Sequence, residues 1–564
     1  MLRNNSMKFI DTPKKQFLFF MLFFFLLNIS QSYFTELLDD EAYYWVWSKN
    51  LAFGYFDHPP LIALWIKMSS FFFDGELGVR FFSVISFSLT LLFVWLSIDS
   101  QKKWQYVWLY FLLICSVALL NVYGFAALPD SPLLLFVAIF LYVYKRFLET
   151  DSLAYTLLLG IAMAGMLYSK YHGILVIIFI IISNVELIKN KRFWVASLFG
   201  AVLFIPHILW QINHDFPSIR YHLLDRSKKL YKFEYTLMHF VNLIAIIGVT
   251  FPVIYFAFFK KRITTVFEKG LKYIVLGFII FFFLSSFKTS TQAQWNLVIL
   301  IPLIILTFGY FIEHERLRKW LIYLGLANLV FMLIGRVFLA SSTLSPVELE
   351  THLGEKWAEE VRKTTNDRPI VFIGSYRNAS KYNFYTNIKT HSYSLLRKHK
   401  SQYDLNTFEQ NIQHKDVAIV GRNIVGYELF KKDKSIYYGA NIDNYVTVQK
   451  IQCNFTENEI VLYENKKQHI SFEIYNPYDF KVSFNEIRFV GVFLGKKDAI
   501  IMEVPLEVDT TFSLGSNEKR ITNASLRIPK QMNTDILTFR ITLKSYQLPS
   551  GFQGNKVKVI FKNG

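Results

Sequence analysis

The sequence predicts a polytopic α-helical membrane protein followed by a water-exposed C-terminal region. Three observations carry that prediction. The 564 residues are 53% hydrophobic with 57 Phe, a bias that soluble chains of this length rarely show. The apolar residues gather into long runs that end near residue 340 and do not recur beyond it. The formal charge of +18 is carried largely by Lys and Arg that punctuate those runs. That is a signature of membrane orientation, and without a basic patch on a soluble face no nucleic-acid partner is expected.

A crossing needs about 20 mostly apolar residues, which gives eleven candidate spans within an expected range of about 11–13. They run over 16–34, 79–98, 104–121, 132–147, 152–169, 173–188, 193–211, 237–259, 271–287, 295–313 and 319–340. The first is rich in Phe (Phe17, Phe19, Phe20, Phe23, Phe24, Phe25) and follows basic residues, as a signal peptide would. It has no convincing small-x-small cleavage site, and aromatic and acidic residues follow it, so a retained span is expected. With the N-terminus inside, the returns to the cytoplasm carry Lys102–Lys103, Lys145–Arg146, Lys189 with Lys191–Arg192, Lys260–Arg262, and Arg316 with Arg318–Lys319. All five inner loops are then basic, as the positive-inside rule demands. The loop 35–78, the turn near Asp130, the loop 212–236 and the C-terminal region are expected on the extracytoplasmic side of a bacterial inner membrane.

Three divisions follow: a transmembrane domain over 1–340, an α/β domain over 341–435 and a β-rich domain over 436–564. Ser345–Lys363 reads as an amphipathic helix, while Pro369–Gly374 and Asp416–Gly421 read as strands ending on glycine. Alternating stretches at Ile470–Tyr475, Arg488–Leu494 and Lys556–Phe561 suggest a β-sandwich. Cys115 and Cys453 lie in different regions and offer neither a disulfide framework nor metal-ligand spacing.

The first outer loop opens with Asp39-Asp40-Glu41-Ala42-Tyr43-Tyr44-Trp45-Val46-Trp47. One carboxylate at mid-membrane would cost about 2.5–3.5 kcal/mol, so the cluster belongs at the bilayer surface. Solvated acids in an aromatic belt would account for the segment equally well. Gly54-Tyr55-Phe56-Asp57-His58-Pro59-Pro60 follows, and its two prolines hold Asp57 and His58 on a rigid turn.

Together, Asp40-Glu41-Ala42-Tyr43-Tyr44 and Gly54–Leu61 resemble motifs of the dolichyl-phosphate-mannose protein mannosyltransferase and aminoarabinose lipid A transferase superfamily. The resemblance extends through Glu76 and Arg80, Pro129-Asp130-Ser131-Pro132-Leu133 and Ser169-Lys170-Tyr171, and covers roughly residues 16–340. It implies the GT-C fold and inverting transfer of a sugar from a polyprenyl-phosphate carrier to an extracytoplasmic acceptor: a glycolipid such as lipid A, a glycan or a protein hydroxyl. It places Asp40 at the reaction centre with Glu41 beside it, and makes Asp130 of similar importance. Tyr55, Asp57 and His58 map onto a segment that contacts the carrier phosphate or a bound metal. A divalent metal therefore stays open as cofactor, with Asp57 as its ligand. The lipid A transferase branch has lysine before the proline where this chain has His58.

The residues suit that chemistry. A carrier phosphate that leaves by itself needs no nucleotide loop, and none is visible. A carboxylate can take the proton of an acceptor hydroxyl, and the departing phosphate needs a cation. Arg80 and Lys170, with Tyr171 beside it, supply candidates near the outer ends of spans, and Arg220 and Arg226 in the loop 212–236 add two more. Lys288, His214 and His222 lie on the same side. Snorkelling to headgroups is the plainer account of Arg80, Lys170 and Lys288, and helix capping that of Asp130. His172 and His207, flanked by apolar residues, read as packing residues. Thr291-Gln292-Ala293-Gln294-Trp295-Asn296 opens a span and would line an acceptor groove or simply seat an interfacial Trp. A transporter or flippase of lipid-linked sugars is the alternative; it would show internal repeats or paired broken helices, and the sequence has no such symmetry.

Overall fold

A computed structural model describes residues 12–225, 231–432, 434–464, 466–528 and 536–562. The chain divides into two compact units between Leu353 and Gly354.

The first unit is a helical bundle. It begins with α1 (Pro13–Phe34), α2 (Asp39–Ser48), α3 (Leu61–Ser69), α4 (Gly75–Ser97), α5 (Val107–Cys115) and α6 (Ala118–Val122). Next come α7 (Asp130–Glu149), α8 (Leu153–Ser169), α9 (Gly173–Ser183), α10 (Lys191–Asn213) and the single turn α11 (Pro217–Arg220). It closes with α12 (Phe233–Ala245), α13 (Phe251–Lys260), α14 (Val266–Ser286), α15 (Leu300–Glu313) and α16 (Glu315–Ala340). The starts follow local rules: Pro13 sits in the first turn of α1 and the Thr12 hydroxyl accepts the Lys15 N–H at 3.3 Å.

Among the described residues, six helical stretches are long and apolar enough to cross a membrane: Pro13–Phe34, Gly75–Ser97, Asp130–Glu149, Lys191–Asn213, Ala293–Glu313 and Glu315–Ala340. Leu153–Ser169, Gly173–Ser183 and Phe251–Lys260 are shorter apolar helices. Leu22, Leu198 and Phe331 stand exposed on helix surfaces. In water each such side chain would forgo about 1.5–3 kcal/mol of burial, whereas lipid removes the penalty. The chain is a polytopic membrane protein. The basic residues lie at the connections α4–α5, α7–α8, α9–α10, α13–α14 and α15–α16, which share one end of the bundle. The opposite, acidic end carries α2, α3, the turn 123–129, residues 170–172 and α11.

Two expected continuous spans are broken. The stretch 104–121 divides between α5 and α6 at Ser116–Val117, and 237–259 divides between α12 and α13 around Gly248. Backbone groups freed inside a bilayer must be met internally. Here the two breaks satisfy one another: Ala118 N–H donates to Ile247 O at 3.0 Å and Leu119 N–H to Ile246 O at 3.1 Å. The Thr250 hydroxyl donates to Ser116 O at 2.6 Å. Asn328 of α16 bridges both breaks, giving its Nδ2–H to Cys115 O at 3.1 Å and accepting Val249 N–H at 3.2 Å. Paired broken helices thus do occur, as a joint sealed by its own backbone bonds.

The second unit contains α17 (Gly354–Thr364), β1 (Ile370–Ile373), α18 (Tyr376–Thr386), β2 (Thr390–Tyr393), α19 (Gln402–Leu405), β3 (Lys415–Gly421), β4 (Tyr427–Lys432) and β5 (Ser435–Tyr445). The strands form one sheet in the order β2-β1-β3-β5-β4, with β1 parallel to β2 and β3 and the β5 pairings antiparallel. This sheet runs through Tyr445, beyond the boundary expected at 435, because β5 pairs with both β3 and β4. A β-sandwich follows. One sheet orders Ile500–Pro505, Arg488–Leu494, Thr538–Lys544, Val557–Lys562 and Glu459–Tyr463; the other orders Glu507–Val508, Lys519–Arg527, Lys467–Tyr475 and Gln452–Asn454. Phe472, Phe489, Phe493 and Phe539 fill the core between them.

Candidate active site

The acidic end is organised around α2. The Glu41 carboxylate turns back to accept the Leu38 N–H at 2.9 Å, closing the first turn, where negative charge also suits the helix dipole. The same carboxylate accepts Arg80 Nε at 2.7 Å, Arg80 Nη2 at 2.5 Å and the Ala127 N–H at 2.7 Å. Arg80, from α4, further donates through Nη1 to Ser32 O and Thr35 O and through Nη2 to Glu36 O. Its five N–H bonds are therefore all committed within the protein. Both side chains are fully buried. They tie the end of α1, the start of α2, α4 and the turn before α7 into one block.

Asp40 differs. It is half-exposed, whereas Asp39 and Glu41 on either side are buried. The charges of Asp130 and Asp40 both act on the Tyr123 hydroxyl, so the two acids lie within electrostatic reach of one group. Asp130 is the first residue of α7, and the cap position belongs to Pro129. Its carboxylate is directed at Lys170, whose Nζ lies 2.8 Å from each oxygen. Lys170 terminates α8 in an extended conformation, which swings its side chain across to α7. Both members of this pair are buried.

A second group of residues adjoins the first through Tyr171. The Tyr55 ring stacks on Trp47 with centroids 4.5 Å apart, and its hydroxyl donates toward Trp47 O and Asn50 O while accepting the Ala52 N–H. The turn that carries Asp57 is closed by the Tyr55 N–H to His58 O at 3.2 Å. His58 lies against Tyr44 and His222, and His222 Nε2 meets Asp57 O at 2.8 Å. The Tyr171 hydroxyl is 3.0 Å from His207 Nε2 and accepts Gln211 Nε2 at 3.0 Å. His207 Nδ1 meets Phe53 O at 2.6 Å, and Gln211 reaches Tyr55 O through Ser218. A carbonyl can only accept, so His207 carries its proton on Nδ1 and receives the tyrosine O–H on Nε2.

A family model described as dolichyl-phosphate-mannose-protein mannosyltransferase matches residues 57–210. The lipid A galacturonosyltransferase RgtD of Rhizobium johnstonii is 23% identical over 319 residues, covering 53% of this chain and 66% of that protein, just under two thirds of its length. Crystal structures of ArnT from Cupriavidus metallidurans superpose over 75% of this chain and 97% of theirs. The apo form has a TM-score of 0.54 at 12% identity, and the form bound to undecaprenyl phosphate 0.52 at 13%. The helical bundle has the GT-C fold of the ArnT structures.

Within this GT-C fold the expected site residues separate into distinct places. Asp40, Glu41, Asp130, Arg80 and Lys170 gather at the acidic end, with Tyr55, Asp57, His58 and Tyr171 alongside. Arg220 stands exposed on α11. Arg226 lies outside the described residues. Among the described residues no three His, Cys, Asp or Glu side chains are placed to hold a metal ion, so the metal expected at Asp57 has no ligand set around it. His207, read from the sequence as a packing residue, belongs to the network, as do Gln211, Ser218, Tyr123 and His222. The signal available for two of them was a polar pair at i, i+4 on one face of an apolar span.

Proposed function

We propose that this GT-C protein transfers a sugar from a polyprenyl-phosphate carrier to an acceptor hydroxyl on the extracytoplasmic side of a bacterial inner membrane. The observation that carries the reading is the half-exposed Asp40 and the buried Asp130–Lys170 pair, whose acids act on the same Tyr123 hydroxyl, at the end of the bundle opposite the basic connections. The positive-inside rule turns that end outward. Asp40 takes the proton of the acceptor oxygen as it attacks the anomeric carbon, and the carrier phosphate leaves from the opposite face, inverting the centre. Lys170, of whose three N–H bonds Asp130 takes two, faces the departing phosphate, with His58, His222 and Tyr171 forming its surroundings. Glu41 and Arg80 hold α2 so that Asp40 is presented. Likeness to a lipid A galacturonosyltransferase favours a glycolipid hydroxyl as acceptor.

The test is transfer by the purified protein from a panel of radiolabelled undecaprenyl-phosphate sugars to extracted envelope glycolipids. Labelled glycolipid together with released undecaprenyl phosphate is expected. Movement of the intact carrier across a sealed bilayer without any transfer would overturn the proposal.

A further inference from the structure

The start of α2 has no cap of its own. Leu38 occupies the cap position and offers no side-chain acceptor, while Glu41 turns back to the Leu38 N–H. The next amide, that of Asp39, is met by a residue 311 positions away: it donates to Glu350 Oε1 at 2.5 Å. Glu350 follows the end of α16 and lies outside every motif of the first 340 residues. It is itself exposed, so water competes for its carboxylate and the bond depends on the backbone that carries it. That backbone is fastened to α16. The buried Thr351 hydroxyl donates to Leu339 O at 2.8 Å, and the buried His352 gives Nε2–H to Phe338 O at 2.6 Å. His352 Nδ1 accepts the Leu349 N–H at 3.1 Å, which fixes the tautomer and closes a turn around Glu350. Leu38 and Leu339 both pack on the cluster of Val84, Phe125 and Ala126, so the start of α2 and the end of α16 share one apolar floor. Asp40 is thereby bracketed. The residue before it is held by Glu350, and the residue after it by Arg80 and the Ala127 N–H.

We propose that Glu350 is a positioning residue for the transfer reaction: by capping α2 at Asp39, it fixes the backbone from which Asp40 meets the acceptor hydroxyl. The inference rests on the reading of Asp40 as the base. The first turn of a helix is its loosest part, because its amides have no partner within the helix. A misplacement of about 1 Å can cost about 10²-fold in rate, so a single bond at this turn matters to the chemistry. The role needs an acceptor oxygen at residue 350 and does not need a proton to pass through it.

The experiment measures single-turnover sugar transfer from the undecaprenyl-phosphate donor by the full-length protein in lipid nanodiscs. Wild type, Glu350→Ala and Glu350→Gln are compared, each also in combination with Asp40→Asn. Hydrogen exchange over residues 37–48 and binding of undecaprenyl phosphate are read on the same samples. Glu350→Ala is expected to slow transfer by about 10–100-fold, speed exchange at the first turn of α2 and leave carrier affinity unchanged. Glu350→Gln keeps an acceptor oxygen and should recover most of the lost rate and protection. On top of Asp40→Asn, Glu350→Ala should slow transfer no further, since it acts through Asp40. A Glu350→Gln variant as slow as Glu350→Ala would overturn the inference, because the charge and not the bond would then matter. A further loss on top of Asp40→Asn, or unchanged exchange in Glu350→Ala, would overturn it too. Absence of transfer by wild type from every donor, with exchange still faster in Glu350→Ala, would instead overturn the glycosyltransferase reading and leave the cap standing.

Discussion

The five N–H bonds of Arg80 end on Glu41 and on the carbonyls of Ser32, Thr35 and Glu36, so its guanidinium braces the acidic end from within. The motif made both Glu41 and Arg80 visible in the sequence. It could not show that they face each other, because the contact depends on how α1, α2 and α4 pack. Asp40 and Glu41 are neighbours in sequence yet differ in burial, since successive helix residues point about 100° apart. Arg80→Met should leave Glu41 as an unpaired buried charge and cost about 3–5 kcal/mol. Thermal unfolding of the purified protein checks this: a marked fall in Tm is expected, and a Tm within a degree or two of wild type would show that the pair is dispensable. Lys170→Met exposes the same vulnerability at Asp130 and should lower carrier affinity as well, which titration with undecaprenyl phosphate would read.

At the scale of elements, the long apolar runs announced the helices because each needs only hydropathy sustained over a crossing. The breaks at Ser116–Val117 and around Gly248 escaped notice because the residues on both sides stay apolar. Gly248 has φ +88°, and a Cβ there would meet Asn328 Oδ1 at 2.6 Å. Gly248→Ala therefore combines left-handed strain with displacement of the amide that bridges both breaks. A loss of about 2–4 kcal/mol is expected, appearing as a lower Tm and faster proteolysis near residue 248. Unchanged stability would mean that Asn328 is not needed to seal the joint. The β5 boundary was missed for a related reason: alternation marks a strand, and the identity of its partner sheet is decided by pairing alone.

For the whole molecule, a buried polar network ties the α/β part of the second unit to the segment that leads into the β-sandwich. His391 Nε2 is 2.9 Å from Gln449 Oε1, Gln449 Nε2 donates to Asp404 at 2.8 Å, and Lys450 pairs with Glu409 at 3.2 Å. Burial holds the His391 imidazole down to about 4 and pushes the Glu409 carboxyl up. The sign for His391 follows from proton uptake. The unfolded side chain protonates near 6.5 and the folded one only near 4, so its contribution to stability is present above 6.5 and is lost as pH falls toward 4. Glu409 runs the opposite way, so the histidine is isolated by comparison with His391→Gln. The variant should gain on wild type in Tm as pH is lowered from 7 to 4.5. A constant difference would show that His391 is not held neutral. No residue motif signalled this network, because its members come from β2, α19, the 3-10 turn Phe408–Ile412 and the segment after β5.

The central claim, that Asp40 is the base of a carrier-dependent sugar transfer, is tested most directly by comparing wild type with Asp40→Asn in single-turnover transfer from the undecaprenyl-phosphate sugar that the wild type uses. The account predicts a rate lowered by about 10²–10⁴-fold with normal membrane levels and unchanged carrier binding. Transfer by Asp40→Asn at the wild-type rate would contradict it.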